Sequence, residues 1–273
     1  WVDDCHGALH PSGRLNDVIT PPAYLSPSSI GTYRQCPQKF KLSRIDHITE
    51  PPTWHTHLGT FVHDVLEHMY QQDPGERTIE HVRTLATQRW TDGDWQTQVE
   101  ALTEKPGTIA DFKKQAFKCM SNLFSLEDPA STEFDGMEHE VLATVEGVAL
   151  KGYIDRFMFG DDGIVISDYK TGKVPNPKFT SEADKFFQLL AYAARLEAAD
   201  QEVTSRVELL YLGVPVKHEL AITPVNISVA KGTIVETREG IDSALVAGEF
   251  PCNVTKLCDW CHYKTTGDCP AFK

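Results

Sequence analysis

No run of ~18 apolar residues occurs anywhere in the chain, so it offers no candidate membrane-spanning helix. The opening stretch, WVDDCHGALHPSGRLNDVITPPAY, lacks the basic-then-apolar pattern of a secretory signal. The expectation is a cytoplasmic protein without membrane contact. No G-x-x-x-x-G-K-[ST] phosphate loop is present, which excludes a nucleoside-triphosphate motor of that kind. Internal repeats and low-complexity linkers are absent too. Positive charge is scarce: 26 Lys and Arg stand against 39 Asp and Glu, a formal charge of −13. That balance argues against a broad basic surface coating nucleic acid, yet leaves room for a basic groove on an acidic body. Seven cysteines are an odd number, and few for a disulfide framework in 273 residues.

What is present is ordinary for a globular protein: 41% apolar and 24% charged residues. At ~100–200 residues per domain, the length allows one large domain or two small ones. Residues 1–25 are rich in Pro, Gly and polar groups and read as an extended arm. Ser26-Pro27 is a helix start, with Ser26 as N-cap. The segment that follows is locally basic, with Arg34, Lys39, Lys41 and Arg44 against Asp46. Leu58, Phe61, Val62, Val65, Leu66 and Met69 recur at helical spacing over 57–72. Further helices are expected near 78–91 and 108–126.

From 138 to 170 the period changes to short β-branched and aromatic runs punctuated by Gly, giving expected strands near 138–146, 148–159 and 163–170. An Ala-rich amphipathic helix follows at 182–199. Strands are expected at 204–213 and 216–223, a helix at 227–247, and a cysteine-rich coil from 250 onward.

The sharpest local inference concerns one hairpin. Gly160-Asp161-Asp162-Gly163 is a two-residue turn. Counting outward from it places Asp155 directly across from Asp168, with Lys170 on the same face. Two opposed carboxylates repel, and a divalent cation such as Mg²⁺ removes the conflict. The alternative is that both acids are solvated on an exposed strand face, and a one-residue slip would separate them.

Gly152-Tyr-Ile-Asp-Arg156, Ser167-Asp-Tyr-Lys-Thr-Gly-Lys173 and Gln188-Leu-Leu-Ala-Tyr192 together resemble the PD-(D/E)XK nuclease superfamily, in its RecB-like exonuclease branch. Leu58-Gly-Thr-Phe-Val-His63 and the opening Leu25-Ser-Pro-Ser-Ser-Ile-Gly-Thr-Tyr-Arg-Gln-Cys-Pro37 extend the resemblance in the expected order. The resemblance implies an α/β fold: a restriction-endonuclease-like mixed central sheet flanked by helices, with an N-terminal helical region and a cysteine-rich C-terminal segment. The corresponding division is an arm at 1–25, a helical region at 26–136 carrying Cys36 and His63, a nuclease core at 137–249, and an iron–sulfur segment at 250–273 packing back on 26–45. All four would form one integrated unit.

The resemblance also implies roles. Asp155 and Asp168 are the metal-binding acids for Mg²⁺ or Mn²⁺, His63 and the Tyr169 carbonyl complete the site, and Lys170 is the catalytic lysine. Gln188 and Tyr192 hold the lysine or the DNA backbone. Tyr192 could equally be core packing, and Glu67 or Glu140 could support the site from nearby. Arg156 is expected on the opposite face, as a structural residue. Arg34, Lys39, Lys41, Arg44, Lys173 and Lys178 are candidates for phosphate contact.

Cys258-x2-Cys261-x7-Cys269 with Cys36 makes four thiols suited to structural zinc or an iron–sulfur cluster, and the spacing does not separate the two. The resemblance favours a 4Fe-4S cluster, although the family's usual last interval is shorter. Cys252 is a competing ligand, His262 could replace a thiolate in a zinc site, and Cys119 reads as buried core.

The implied activity is metal-dependent hydrolysis of DNA, as an exonuclease on single-stranded ends, in recombination, repair or phage DNA metabolism. A helicase or integrase is the implied protein partner. Two alternatives share the pattern: a CRISPR spacer-acquisition nuclease and a catalytically silent DNA-binding scaffold.

Overall fold

A computed structural model describes residues 21–200 and 202–273. Most of the expected arm, with Cys5, lies outside the described residues. Its last residue does not behave as an arm: Leu25 is fully buried. Its backbone bonds Ala149 and Lys151 at 2.9 and 2.8 Å, bridging to Leu150.

Helix α1 (Pro27–Gln35) begins where expected, because Ser26 Oγ accepts from Ser29 N–H and Ser29 Oγ accepts from Ser26 N–H. A short helix α2 (Pro37–Phe40) runs into a wider π-helical turn, Lys41–Ile45. Helix α3 (Trp54–Tyr70) starts at a Thr53–Thr56 capping box, three residues before the expected stretch, and ends two residues before its expected end. Helices α4 (Ile79–Asp92), α5 (Trp95–Glu100) and α6 (Ile109–Leu123) complete the helical region. Helix α5 was not expected. It is only six residues long, but Trp95 and Val99 on it are buried.

Five strands follow: β1 (Gly136–Val145), β2 (Val148–Gly160), β3 (Gly163–Lys170), β4 (Thr204–Tyr211) and β5 (Val216–Ala221). They form one sheet in chain order, with β3 and β4 parallel and the other neighbours antiparallel. The parallel pair requires a crossover, which helix α7 (Glu182–Asp200) supplies. Helix α8 (Pro224–Ala247) starts three residues earlier than the apolar pattern predicts, because Thr223 and Asn226 cap it reciprocally. The architecture is the α/β class expected, a mixed sheet flanked by helices.

Two cores meet on this sheet. On one face, Ile154, Ile164, Ile166 and Leu209 pack with Phe186, Leu190 and Tyr192 of α7 and with Ile227, Ile234 and Ile241 of α8. On the other, Tyr169 and Leu210 join Phe61, Val65 and Met69 of α3, and Phe112, Met120 and Cys119 of α6. Asp64 and Arg89 form a two-bond ion pair at 2.9 and 2.8 Å that ties α3 to α4.

The C-terminal segment lies against residues 35–48. Gln38 N–H donates to Pro251 O at 3.2 Å, Asn253 Nδ2 to Gln35 O at 2.8 Å and Tyr263 Oη to Ile48 O at 2.7 Å. It carries a short helix, α9 (His262–Thr265). Among the described residues, no helix is long and apolar enough to cross a membrane.

Candidate active site

The Gly160–Gly163 turn sets the β2–β3 register as counted, through Phe159–Ile164, Phe157–Ile166 and Arg156–Ser167. The ladder stops there. At the next step Tyr169 N–H donates to the carboxylate of Asp155, Oδ2, at 3.1 Å. The side chain takes the place of a strand carbonyl, and the two strands part around Asp155 and Asp168. Asp168 is buried and Asp155 half-buried.

A second hairpin converges on the same point. Glu146 (φ 48°) and Gly147 (φ 81°) make the tight turn between β1 and β2, with both central residues left-handed. Its register pairs Met137 with Arg156 and His139 with Ile154, leaving Glu138 beside Asp155. Glu138 itself has a φ of 46°. The facing pattern inverts here. Val141 and Ile154 belong to the core beneath α7, whereas Met137 and Arg156, at the same parity along their strands, point into the core beneath α3. This break turns Glu138 into the site.

From α3, His63 Nε2 donates to the Tyr169 carbonyl at 3.0 Å, and its Nδ1 lies 3.4 Å from Asp155 Oδ2. One donor atom each from His63, Glu138 and Asp155 fall within 4.8 Å of one another. Across from them, Lys170 Nζ lies 2.6 Å from Asp168 Oδ2. Gln188 on α7 bridges this pair, accepting from Lys170 Nζ and donating to Asp168 Oδ1, both at 3.0 Å. Its Nε2 also reaches the Tyr192 hydroxyl at 3.4 Å. Tyr192 fits because position 152 is glycine: a Cβ there would sit 2.6 Å from its ring. Tyr192 is therefore both core and support.

Three carboxylates, one ammonium and one imidazole make the site electronegative. Burial, then the Asp155 charge, pushes the Asp168 carboxyl up to about 6, against the pull of Lys170. Burial and Asp155 push Glu138 up to about 7. Oxygen donors with one imidazole fit a hard or borderline divalent cation such as Mg²⁺ or Mn²⁺. His63, Glu138, Asp155, Asp168 and the Tyr169 carbonyl would hold it.

A stability consequence follows from the sign of the Asp168 shift. A carboxyl that holds its proton more tightly folded than unfolded favours folding only while protonated. Its contribution is fully present below the usual value of 3.8 and is lost as pH rises through about 6. A bound cation compensates the charge only once the acid has ionised. Mn²⁺ is thus expected to raise the melting temperature more at about pH 7.5 than at about pH 5. Equal shifts at both pH values, measured by calorimetry, would contradict this assignment of Asp168.

Other candidates fall elsewhere. Glu140 pairs with Lys151 at 3.1 Å and with the Tyr153 hydroxyl on the exposed side of β1. It does not approach the site. Glu67 accepts from Gln71 at 3.3 Å and makes no hydrogen bond to His63, although its charge helps to push the Glu138 carboxyl up. Arg156 points to the opposite face, where it is buried against Glu127. Among the candidate phosphate contacts, Arg34 pairs with Asp184 (2.8 Å), Lys39 with Glu50 (3.0 Å) and Lys41 with Asp46 (2.6 Å). The ammonium groups of Lys173 and Lys178, both exposed, make no ion pair among the described residues. Glu138 is the candidate ligand that sequence reasoning missed. The Glu146-Gly147 turn sets Glu138 opposite Asp155, but strict alternation leaves it on the exposed face of Glu140, and only its left-handed backbone turns it inward.

Five cysteines, Cys36, Cys252, Cys258, Cys261 and Cys269, line one cavity of about 160 Å³ where the C-terminal segment meets α1 and α2. Cys252 and Cys269 Sγ lie 3.9 Å apart. Backbone N–H groups of Asn253 and Thr255 reach the sulfurs of Cys36 and Cys258 at 3.5 and 3.4 Å. Cys119 is buried core, as expected.

Compared with known proteins, residues 24–266 match the family model described as the PD-(D/E)XK nuclease superfamily. Among solved structures, the chain is similar to that of a candidate exonuclease from Eubacterium rectale, 15% identical over 94% of each chain, with a TM-score of 0.58. It is also similar to SSO0001, 15% identical over 80% of this chain and 96% of that one, at a TM-score of 0.38. At these identities the first likeness speaks to fold alone, and the second is too distant to carry an argument. No curated protein matches the chain.

Proposed function

Because the chain belongs to the PD-(D/E)XK nuclease superfamily, we propose that it is a metal-dependent deoxyribonuclease of the RecB-like branch that degrades single-stranded DNA from its ends. One observation carries this reading: His63, Glu138, Asp155, Asp168, Lys170 and the Tyr169 carbonyl converge where β2 parts from β3. A divalent cation held there supplies Lewis acidity, offsetting charge on the scissile phosphate and acidifying the attacking water. The chain's own groups do the rest. Lys170 turns an ammonium toward the phosphate or the water. Gln188 fixes that ammonium from one side and Asp168 from the other. Tyr192 steadies Gln188 from beneath. His63 ties α3 to the strand carrying both Asp168 and Lys170.

The complete acid and lysine set favours an enzyme over a silent scaffold. An acidic chain with a confined basic loop suits a restricted channel better than a broad grip.

The cysteine cavity is proposed to hold a 4Fe-4S cluster through Cys36, Cys258, Cys261 and Cys269, as a staple between the chain's two ends. Tetrahedral zinc, with bonds of about 2.3 Å, would draw its four sulfurs to about 3.8 Å from one another. Among the described residues, no three cysteine sulfurs lie within 4.8 Å of one another. The N–H groups on the sulfurs of Cys36 and Cys258 support a cluster, whereas the 3.9 Å between Cys252 and Cys269 is the spacing zinc would need.

The test is digestion of end-labelled DNA by protein purified without oxygen. The expected result is Mg²⁺- or Mn²⁺-dependent loss of single strands from an end, stopped by chelation, with a broad absorbance at ~400 nm from the iron–sulfur chromophore. No cleavage with either cation would overturn the nuclease reading. A colourless, zinc-loaded protein would overturn the cluster.

A further inference from the structure

The segment joining the catalytic lysine to α7, residues 171–181, carries a side chain that the proposed chemistry does not use. Phe179 is 87% exposed, the most exposed aromatic among the described residues. The backbone beneath it is ordered. Asn176 accepts three amide hydrogens: its carbonyl takes those of Phe179 (2.9 Å) and Thr180 (3.1 Å), and its side chain takes that of Lys178 (2.9 Å). Pro175 and Pro177 flank Asn176 and stiffen the turn. Val174 packs into the core below α7 on one side. On the other, Ser181 Oγ accepts from Asp184 N–H at 3.1 Å, and Asp184 is held by Arg34. This hydrogen-bonded turn thus presents a phenyl ring to water, just after two lysines that lack acidic partners among the described residues.

Both ends of this segment are fixed to the site. It leaves Lys170 directly, and Gln188, bonded to that lysine, stands seven residues beyond Ser181. At ~1.5 Å per residue, this is about 10 Å along α7, a distance of roughly three base steps. Of the other cationic candidates, Arg34, Lys39 and Lys41 are already paired with acids, while Arg44, exposed and without an ion pair among the described residues, lies on the Lys41–Ile45 turn against the C-terminal segment. Lys173 and Lys178, six residues and one residue before the ring, are exposed and free to meet phosphate.

We propose that Phe179 is a stacking platform for an unpaired nucleobase of the substrate strand, held a few nucleotides from the cut by Lys173 and Lys178 on the adjoining phosphates. This rests on the nuclease reading and specifies the substrate as a strand whose bases are free. An aromatic face accepts any base, so the platform sets strandedness and not sequence. The preformed turn lowers the ordering cost of binding.

The experiment measures binding of a fluorescent single-stranded oligothymidylate to the full chain, with Ca²⁺ replacing the catalytic cation. A strand of the same length built from abasic sites serves alongside it. Phe179→Ala is expected to weaken oligothymidylate binding about 5–150-fold, the range for loss of one base–aromatic stack. Binding of the abasic strand should change less than about twofold, and Phe179→Trp should restore the thymidylate affinity. Equal affinities of wild type and Phe179→Ala for oligothymidylate would overturn the platform, as would an equal loss on the abasic strand. If the wild type neither binds nor cuts DNA, the nuclease reading falls and the platform with it. Cleavage that is intact but indifferent to Phe179 removes the platform alone.

Discussion

Replacing Lys170 by methionine is expected to lower the rate of DNA cleavage by about 10²–10⁴-fold, the span for a positioned proton-transfer or charge-stabilising group. Its ammonium is the cation of the chain next to Asp168 (2.6 Å), and Gln188 accepts from it at 3.0 Å. Methionine keeps the length and apolar stem, so the loss reads the charge and not the packing. Asp168→Asn is expected to cost at least as much activity and to have a second effect of opposite sign. Asp168 is 2% exposed and its carboxyl is pushed up by burial and by Asp155. The ionised acid therefore strains the cation-free fold. Its amide should raise the melting temperature without metal while abolishing cleavage, a trade of stability against function. Steady-state rates with saturating Mn²⁺, paired with calorimetry in chelator, check both. Cleavage retained within about tenfold in both variants would remove them from the active site. A lower melting temperature of Asp168→Asn in chelator would show that the Lys170 pair outweighs the burial of its charge.

The part of this site that sequence exposes is the part built on regular hairpin geometry. The two-residue turn at Asp161-Asp162 transmits its register five residues, to Arg156 and Ser167, and so brings Asp155 and Asp168 next in line, because a period of two leaves no freedom until an irregularity intervenes. The irregularity falls one step after the pairing ends. There Asp155 accepts a strand N–H and Glu138 takes a left-handed backbone, so strict alternation assigns Glu138 to the wrong face. Helix α5 escapes for another reason: six residues hold less than two turns, too few for a period to show. Leu25 escapes because Pro-rich composition reads as an arm, although one buried leucine and two backbone bonds attach it to the sheet. His63 is visible only as one member of an ordered pattern, since its partner, the Tyr169 carbonyl, carries no side-chain signature. The ion pairs that occupy Arg34, Lys39 and Lys41 are likewise absent from a charge count. Arg34 pairs with Asp184, from a distant stretch of chain, and that contact exists only once α1 meets α7.

The largest stability effect is expected from Arg156→Met. Asp155 and Asp168 face the proposed cation site, and the residues immediately after them, Arg156 and Tyr169, face the other way. Arg156 is 1% exposed, with its guanidinium paired to Glu127 at 2.6 and 2.8 Å and donating to the Tyr169 hydroxyl at 2.6 Å. The Phe134 ring covers it at 4.4 Å, and Tyr70 donates to the same glutamate. Removing the guanidinium leaves the Glu127 carboxylate in a low-dielectric pocket without a counter-charge, at a cost of about 3–5 kcal/mol. For a chain of this size that corresponds to a melting temperature lower by roughly 6–20 °C. The double variant Arg156→Met/Glu127→Leu removes both charges and is expected to recover most of the loss, because well-packed apolar groups can replace a buried pair nearly neutrally. Arg156→Lys should fall between, keeping the charge but losing the planar two-bond contact. Urea unfolding of the four proteins decides it. An Arg156→Met variant within about 1 kcal/mol of wild type would show that the pair contributes little. Recovery in the double variant separates the cost of an orphaned charge from that of a cavity. Tyr169 links this pair to the proposed active site: its hydroxyl is held from behind, while its carbonyl accepts from His63 and its amide donates to Asp155.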